Sequence, residues 1–216
     1  MPDSAPSTCP LCRSDGIRDF ARVHNRRYLD CDACGLIHMA AADRPDSASE
    51  YRRYRTHHNN PEDEGYRQFL ERLVRPLVDR LPPGGEGMDY GSGPGPTLSV
   101  MIEERGFPMS IYDPFFSPDR QVLERSYDFI TCTEVAEHFF DPRKEFEKLN
   151  RLLRPGGWLA VMTGLLRDQV FEDWWYVRDE THVAFYRDRT MRWIAEWLNG
   201  SVVFSDGDVV IFRKPG

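Results

Sequence analysis

The sequence predicts an α/β protein in which a doubly wound, mostly parallel sheet follows a small N-terminal cysteine module. Three observations carry this expectation. A glycine-rich turn, Gly91-Ser92-Gly93-Pro94-Gly95-Pro96, separates a short strand-like stretch at 87–90 from an amphipathic stretch at 97–107. Apolar strand-like runs then alternate with helical patterns toward the C-terminus, the signature of βαβ units. Four of the five cysteines fall within the first 34 residues.

A chain of 216 residues accommodates one large domain, or one domain with a small module attached. Hydrophobic residues make up 40% and aromatics 12%, enough for a sizeable core. No apolar run approaches the roughly 18–20 residues of a membrane helix, so no membrane partner is expected. The opening MPDSAPSTCPLC has neither a basic nor an apolar segment of the secretory type, and a cytoplasmic protein is expected. Net charge is −7, with 9 basic and 8 acidic residues up to position 60 and 19 basic and 27 acidic beyond it. Neither part has the positive balance of a nucleic-acid binder, although YRRYRTHH at 51–58 is locally basic with interleaved tyrosines.

The first element is Cys9-x2-Cys12, eighteen residues, then Cys31-x2-Cys34. This spacing fits a four-cysteine zinc site, because a Cys-x-x-Cys turn folds two sulfurs onto one tetrahedral metal. With all four positions filled by protein, the Zn2+ would be structural. Two disulfides are the alternative, and they suit a secreted chain rather than this one. The intervening Ile, Phe, Val and Tyr residues predict a short hairpin, so residues 1–40 read as a zinc ribbon. Cys132, in the apolar run YDFITC, is expected in a buried strand, and His24 and His38 as surface or packing residues.

Residues 41–64 carry little apolar content and read as a linker or lid with one short helix. A helical pattern follows, with Tyr66, Phe69, Leu70, Leu73, Val74, Leu77, Val78 and Leu81 at three- and four-residue steps. Pro76 should kink or shorten it, and PPGG at 82–85 ends it. The main domain is then 65–216.

GMDY is the next strand, GSGPGP its turn, and TLSVMIEERGF a helix with Gly106 as its C-cap. A bare backbone facing a helix N-terminus suits a ligand that approaches closely. The dinucleotide pattern G-x-G-x-x-G would require glycine at 96, where Pro96 stands. The residues instead spell D-x-G-x-G-x-G from Asp89 through Gly91, Gly93 and Gly95.

This pattern resembles the first motif of class I S-adenosylmethionine-dependent methyltransferases. SIYDPFF ends its strand with Asp113, 22 residues past Gly91, where such folds place a carboxylate for the ribose hydroxyls. YDFITCTEVAEHFFDPRKEFEKLNRLLRPGGWLAVMT resembles the family's fourth strand, following helix and fifth strand, with Asp141-Pro142 as the helix start. TMRWIAEWLNG and SVVFSDGDVVIF match its last helix and closing hairpin. The resemblance covers roughly 61–216. It implies a Rossmann-like methyltransferase fold with an antiparallel last strand, S-adenosylmethionine as cofactor, and cofactor contacts from Asp89, Gly91, Ser92, Gly93, Gly95, Asp113, Pro114, Thr133 and Glu134. One departure stands out. Only fourteen residues separate Asp113 from Asp128, so the third-strand region is shortened, and Asp119 is offered as the replacement for the family's adenine-facing acid.

Methyl transfer needs an aligned nucleophile and, for oxygen or nitrogen acceptors, a base. Candidates fall in TEVAEH, with Glu134 and His138, and in FEDWWYVRDETHVAFYRDRT, where His182 is the best general base. Trp174, Trp175, Tyr176 and Tyr186 are expected either to wall the acceptor pocket or to pack in the core. Tyr51, Tyr54, His57, His58 and Tyr66 lie where the family often carries a lid. The expected partner is a small-molecule acceptor. The alternatives are an RNA or protein methyltransferase that uses the ribbon to hold its substrate, and a catalytically silent binding module.

Overall fold

The computed structural model describes residues 8–56 and 59–216; the lid expectation for His57 and His58 falls outside the described residues. A hairpin of β1 (Ile17–Val23) and β2 (Arg26–Cys31) opens the chain. Its turn residues His24 and Asn25 both take positive φ, 50° and 62°, which suits the right-handed twist of the paired strands. β3 (Ile37–Met39) pairs with β2, and a two-residue strand from far along the chain, β8 (Ala184–Phe185), pairs with β3. The ribbon sheet is therefore completed by the segment that follows His182.

Two helices come next. α1 (Ser47–Tyr54) starts on Asp46, whose side chain accepts from the Ser49 N–H. α2 (Glu64–Val78) is capped by Asp63 and buries Leu70, Leu73, Val74 and Leu77. Pro76 sits in the last turn of α2, which ends two residues later, so the proline coincides with the helix end rather than a mid-helix kink.

The main sheet has the order β5-β4-β6-β7-β10-β9, formed by Met109–Tyr112 (β5), Gly87–Tyr90 (β4), Tyr127–Thr133 (β6), Leu153–Met162 (β7), Val209–Arg213 (β10) and Ser201–Asp206 (β9). β4, β5, β6 and β7 run parallel, while β10 is antiparallel to both its neighbours. The helices are α3 (Thr97–Glu103), α4 (Pro142–Leu152) and α5 (Asp188–Trp197). Between β5 and β6 the described chain makes only a 3-10 turn, Arg120–Glu124, so β5 is the sheet edge and the shortened third-strand region is real.

Alternation along the strands explains the layering. Phe129, Ala160 and Ile211 face α2 and α3, whereas Ile130, Val161 and Val210 face α4, α5 and the cysteine end of the ribbon. Strands buried on both faces read as continuous apolar runs. The ribbon is held by Asp30, 2% exposed, which receives the Arg187 guanidinium at 2.7 Å. His38 is fully buried in the ribbon, and burial pushes its imidazole down to about 4. Among the described residues, no helix is long and apolar enough to cross a membrane.

Candidate functional site

Parallel sheets bind ligands where the strand order reverses, at the carboxyl ends of the strands. Here β4 lies between β5 and β6, and a cleft of about 630 Å³ opens at that point. The turn after β4 forms its floor. Gly91 has φ +86°, and a Cβ there would lie 2.8 Å from Val135 Cγ1, so no larger residue fits. The backbone N–H groups of Gly91 and Ser92 donate to the Tyr112 carbonyl at 2.7 and 3.2 Å, which fixes the turn against β5.

Two carboxylates support the turn. Asp89, 3% exposed, accepts from Thr131 Oγ1 at 2.7 Å and from Ser99 Oγ at 3.4 Å. Burial pushes it up to about 6 against the opposing pull of those hydroxyls. Asp113 Oδ2 accepts the Gly93 N–H at 3.0 Å, and Oδ1 accepts those of Phe115 and Phe116 at 2.8 and 3.0 Å. A carboxylate offers about four lone-pair sites, so Asp113 organises the loop and retains acceptor capacity toward the cleft. Ser92 Oγ, Thr97 Oγ1 and Thr133 Oγ1, from three residues of the cleft lining, are buried without any hydrogen-bond partner. Orphaned buried hydroxyls are costly unless a ligand completes them. With the bare glycine turn, they fit a polar cofactor lying across β4 and β6.

The far end of the cleft gathers the titratable side chains. Glu134 follows β6 with φ +54°. Burial, and then the neighbouring Glu137 carboxylate, push Glu134 up to about 9, so at neutral pH it offers a proton rather than a base. His138 Nδ1 donates to the Thr181 carbonyl at 2.9 Å, and His182 Nδ1 to the Tyr176 carbonyl at 2.8 Å. A carbonyl only accepts, so each ring carries a proton on Nδ1, and the neutral ring then has its lone pair on Nε2. The two rings lie 4.9 Å apart. Burial holds the His182 pKa below its ordinary value, against the opposing charge of Glu137.

Glu137, fully buried, joins these groups. It accepts from the Tyr176 hydroxyl at 2.5 Å and from Thr163 Oγ1 at 2.8 Å. Glu137, His138 and His182 bring one donor atom each within 4.8 Å of one another, a set suited to a proton relay or to a divalent cation.

The walls come from α1, α2 and the segment after β7. Tyr54 and Tyr66 line the cleft, while Tyr51 packs against Phe115 at 5.5 Å outside it. Arg53 on α1 reaches Asp179 at 2.7 Å and ties α1 to the segment carrying His182. Tyr176 and Trp175 line the cleft, Trp174 stacks behind Tyr176 at 4.9 Å, and Tyr186 is a core residue whose hydroxyl donates to the Ala136 carbonyl at 2.9 Å. Asp119 is outside the lining and caps the 3-10 turn through the Gln121 N–H at 2.9 Å.

The second site is the ribbon. Cys9, Cys12, Cys31 and Cys34 place their sulfurs within 4.8 Å of one another. The Cys9–Cys34 and Cys12–Cys31 sulfurs are 3.6 and 3.4 Å apart. A disulfide would need about 2.05 Å, whereas four thiolates at about 2.3 Å from a tetrahedral zinc lie about 3.8 Å from one another. The donor set fits Zn2+.

All residues expected to touch the cofactor, and all three candidates for the chemistry, line the one cleft. Sequence reasoning missed Glu137, Asn59 and Lys148. Glu137 carried a signal, since it directly precedes His138 in a loop that follows a strand end. Lys148, bonded to the Tyr90 hydroxyl at 2.8 Å and to Glu145, looked like an ordinary helix surface residue.

A sequence model of the methyltransferase domain family matches residues 57–203. The ubiquinone biosynthesis O-methyltransferase of Photorhabdus laumondii is 28% identical over 77 residues, 36% of this chain and 32% of the relative. The match therefore spans about a third of that protein's length. Among solved structures, the magnesium protoporphyrin IX methyltransferase of Synechocystis PCC 6803 superposes with a TM-score of 0.56 at 15% identity, covering 78% of this chain and 94% of that one. The 1,6-didemethyltoxoflavin-N1-methyltransferase of Burkholderia thailandensis, solved with bound S-adenosylhomocysteine, gives 0.51 at 14% identity, covering 92% and 100%. At these identities the likeness is one of fold.

Proposed function

Because the chain belongs to the methyltransferase domain family, we propose that it transfers a methyl group from S-adenosylmethionine to a small-molecule acceptor, with His182 as general base. The observation that carries this reading is a single cleft with a glycine turn and orphaned hydroxyls at one end and two Nε2 lone pairs at the other.

When bound, S-adenosylmethionine supplies an electrophilic methyl group on a sulfonium. The glycine turn and Asp113 would hold its polar groups, and Ser92, Thr97 and Thr133 would pair with it. His182 Nε2 accepts the proton from an acceptor hydroxyl or amine. Its lowered pKa keeps it neutral and ready at pH 7, and Glu137 stabilises the imidazolium that results. His138 sits beside it as a second acceptor for that proton. Glu134, protonated, serves as a hydrogen-bond donor to cofactor or acceptor. Tyr54, Tyr66 and α1 narrow the mouth and exclude water.

A cleft walled by Tyr54, Tyr66, Trp175 and Tyr176 supports a small acceptor over RNA or protein, as does the acidic net charge of −7. The four cysteines would hold a structural Zn2+ that fixes the ribbon against the segment carrying His182. Calorimetric titration with S-adenosylhomocysteine tests the reading. Binding at one site per chain is expected, and a chain that is folded but does not bind would refute it.

A further inference from the structure

A second cleft, of about 820 Å³, lies between the ribbon and the segment after β7. Arg53, Trp175, Asp179 and His182 line both clefts, so the second cleft meets the first along one wall, at the proposed base. The geometry points to an anion subsite for the acceptor at its far end: the acceptor carries a carboxylate or phosphate that Arg26 receives. The inference rests on the methyltransferase reading above and adds the chemical class of its substrate.

Arg26 opens β2 and lines the second cleft. Its Nη2 donates to the carbonyls of Val177 and Arg178 at 3.0 and 3.4 Å, which accounts for one corner of the guanidinium. Nε and Nη1 are buried without an acceptor. A guanidinium stays charged at any physiological pH and cannot relieve its desolvation by losing a proton. No protein acceptor among the described residues completes it, and planar donors of this kind favour carboxylate and phosphate oxygens.

The acidic groups of the cleft are engaged elsewhere or exposed. Asp179 takes Arg53 and the Thr181 N–H and hydroxyl, Asp43 takes the Arg27 N–H at 2.7 Å, and Glu180 is exposed. Arg178 adds a second cation on the rim. Trp175, 66% exposed on the shared wall, offers a flat apolar face for the body of the acceptor. An acceptor lying against Trp175 with its anionic group toward Arg26 would present its other end to His182.

The test uses the full chain saturated with S-adenosylhomocysteine, titrated with benzoate, benzamide and inorganic phosphate. We expect saturable binding of benzoate or phosphate in the millimolar range, weakened at least tenfold in Arg26→Gln, with S-adenosylhomocysteine affinity changed less than twofold. Preference for benzoate identifies a carboxylate acceptor, and preference for phosphate a phosphorylated one. Should Arg26→Gln fail to fold, the wild-type protein decides: a charge-reading subsite binds benzoate at least tenfold more tightly than benzamide, or binds phosphate. Equal binding of benzoate and benzamide without phosphate binding, no anion binding at all, or undiminished binding in a folded Arg26→Gln overturns the subsite. Failure of the wild type to bind S-adenosylhomocysteine instead overturns the reading on which it rests.

Discussion

Replacing Gly95 by alanine separates a cofactor cradle from a merely tight turn. A Cβ at Gly95 would point into the backbone of Asn59, 2.9 Å from its carbonyl carbon and 3.2 Å from its Cβ, with the carbonyl oxygen closer still. Backbone atoms cannot rotate away as a side-chain end can. Either the segment at Asn59, part of the cleft wall, or the first turn of α3 must move by the order of an ångström. Overpacking of this kind costs about 1–3 kcal/mol, which for a chain of this size lowers Tm by roughly 2–12 °C. Because the displaced atoms line the cleft, affinity for S-adenosylhomocysteine should fall at least tenfold, the equivalent of about 1.4 kcal/mol. Gly106→Ala is the comparison. Gly106 has φ +86° with nothing within 4 Å of its Cβ position, so alanine there strains the backbone by about 1 kcal/mol far from the cleft. Calorimetry on both variants should show reduced stability in each and reduced affinity only in Gly95→Ala. Unchanged affinity in Gly95→Ala would refute the placement of the cofactor on this turn.

Other perturbations test the remaining parts. His182→Gln should lower kcat by about 10² or more while leaving S-adenosylhomocysteine binding intact, and the acid limb of the wild-type pH–rate profile should fall below pH 6.5, where an ordinary histidine titrates, because burial lowers the His182 pKa. Cys31→Ser should lose the zinc measured by mass spectrometry; since β3 pairs with Ala184–Phe185, kcat/KM should fall as well, with cofactor affinity changed less than threefold. His38 has a folded pKa of about 4 against about 6.5 unfolded, so the unfolded chain takes up the proton first as pH falls. Its stability contribution is complete above pH 6.5 and declines through about pH 4 by roughly 3 kcal/mol; His38→Leu should flatten that part of the curve in pH-dependent thermal melts.

The main sheet was legible because its parallel strands are buried on both faces and so read as apolar runs, and because helix starts such as Asp141-Pro142 carry local signals. The shortened third-strand region was legible from chain length alone. The ribbon's fourth strand was not: Ala184–Phe185 is two residues long, and its pairing partner lies almost 150 positions away. Nor was the placement of Arg26, since an arginine in a hairpin ordinarily faces solvent and only the tertiary approach of Val177 and Arg178 partly buries it. Tyr186, read as either wall or core, is core because its hydroxyl finds the Ala136 carbonyl. Glu137 eluded reading for a related reason, its partners Thr163 and Tyr176 being brought from the segment after β7.

The most direct test of methyl transfer to a small molecule is to incubate the purified protein with methyl-labelled S-adenosylmethionine and a cell extract resolved into RNA, protein and small-molecule fractions. Label in the small-molecule fraction, lost in His182→Gln, is the predicted result. Label confined to RNA or protein, or no transfer at all by a protein that binds S-adenosylhomocysteine, would contradict it.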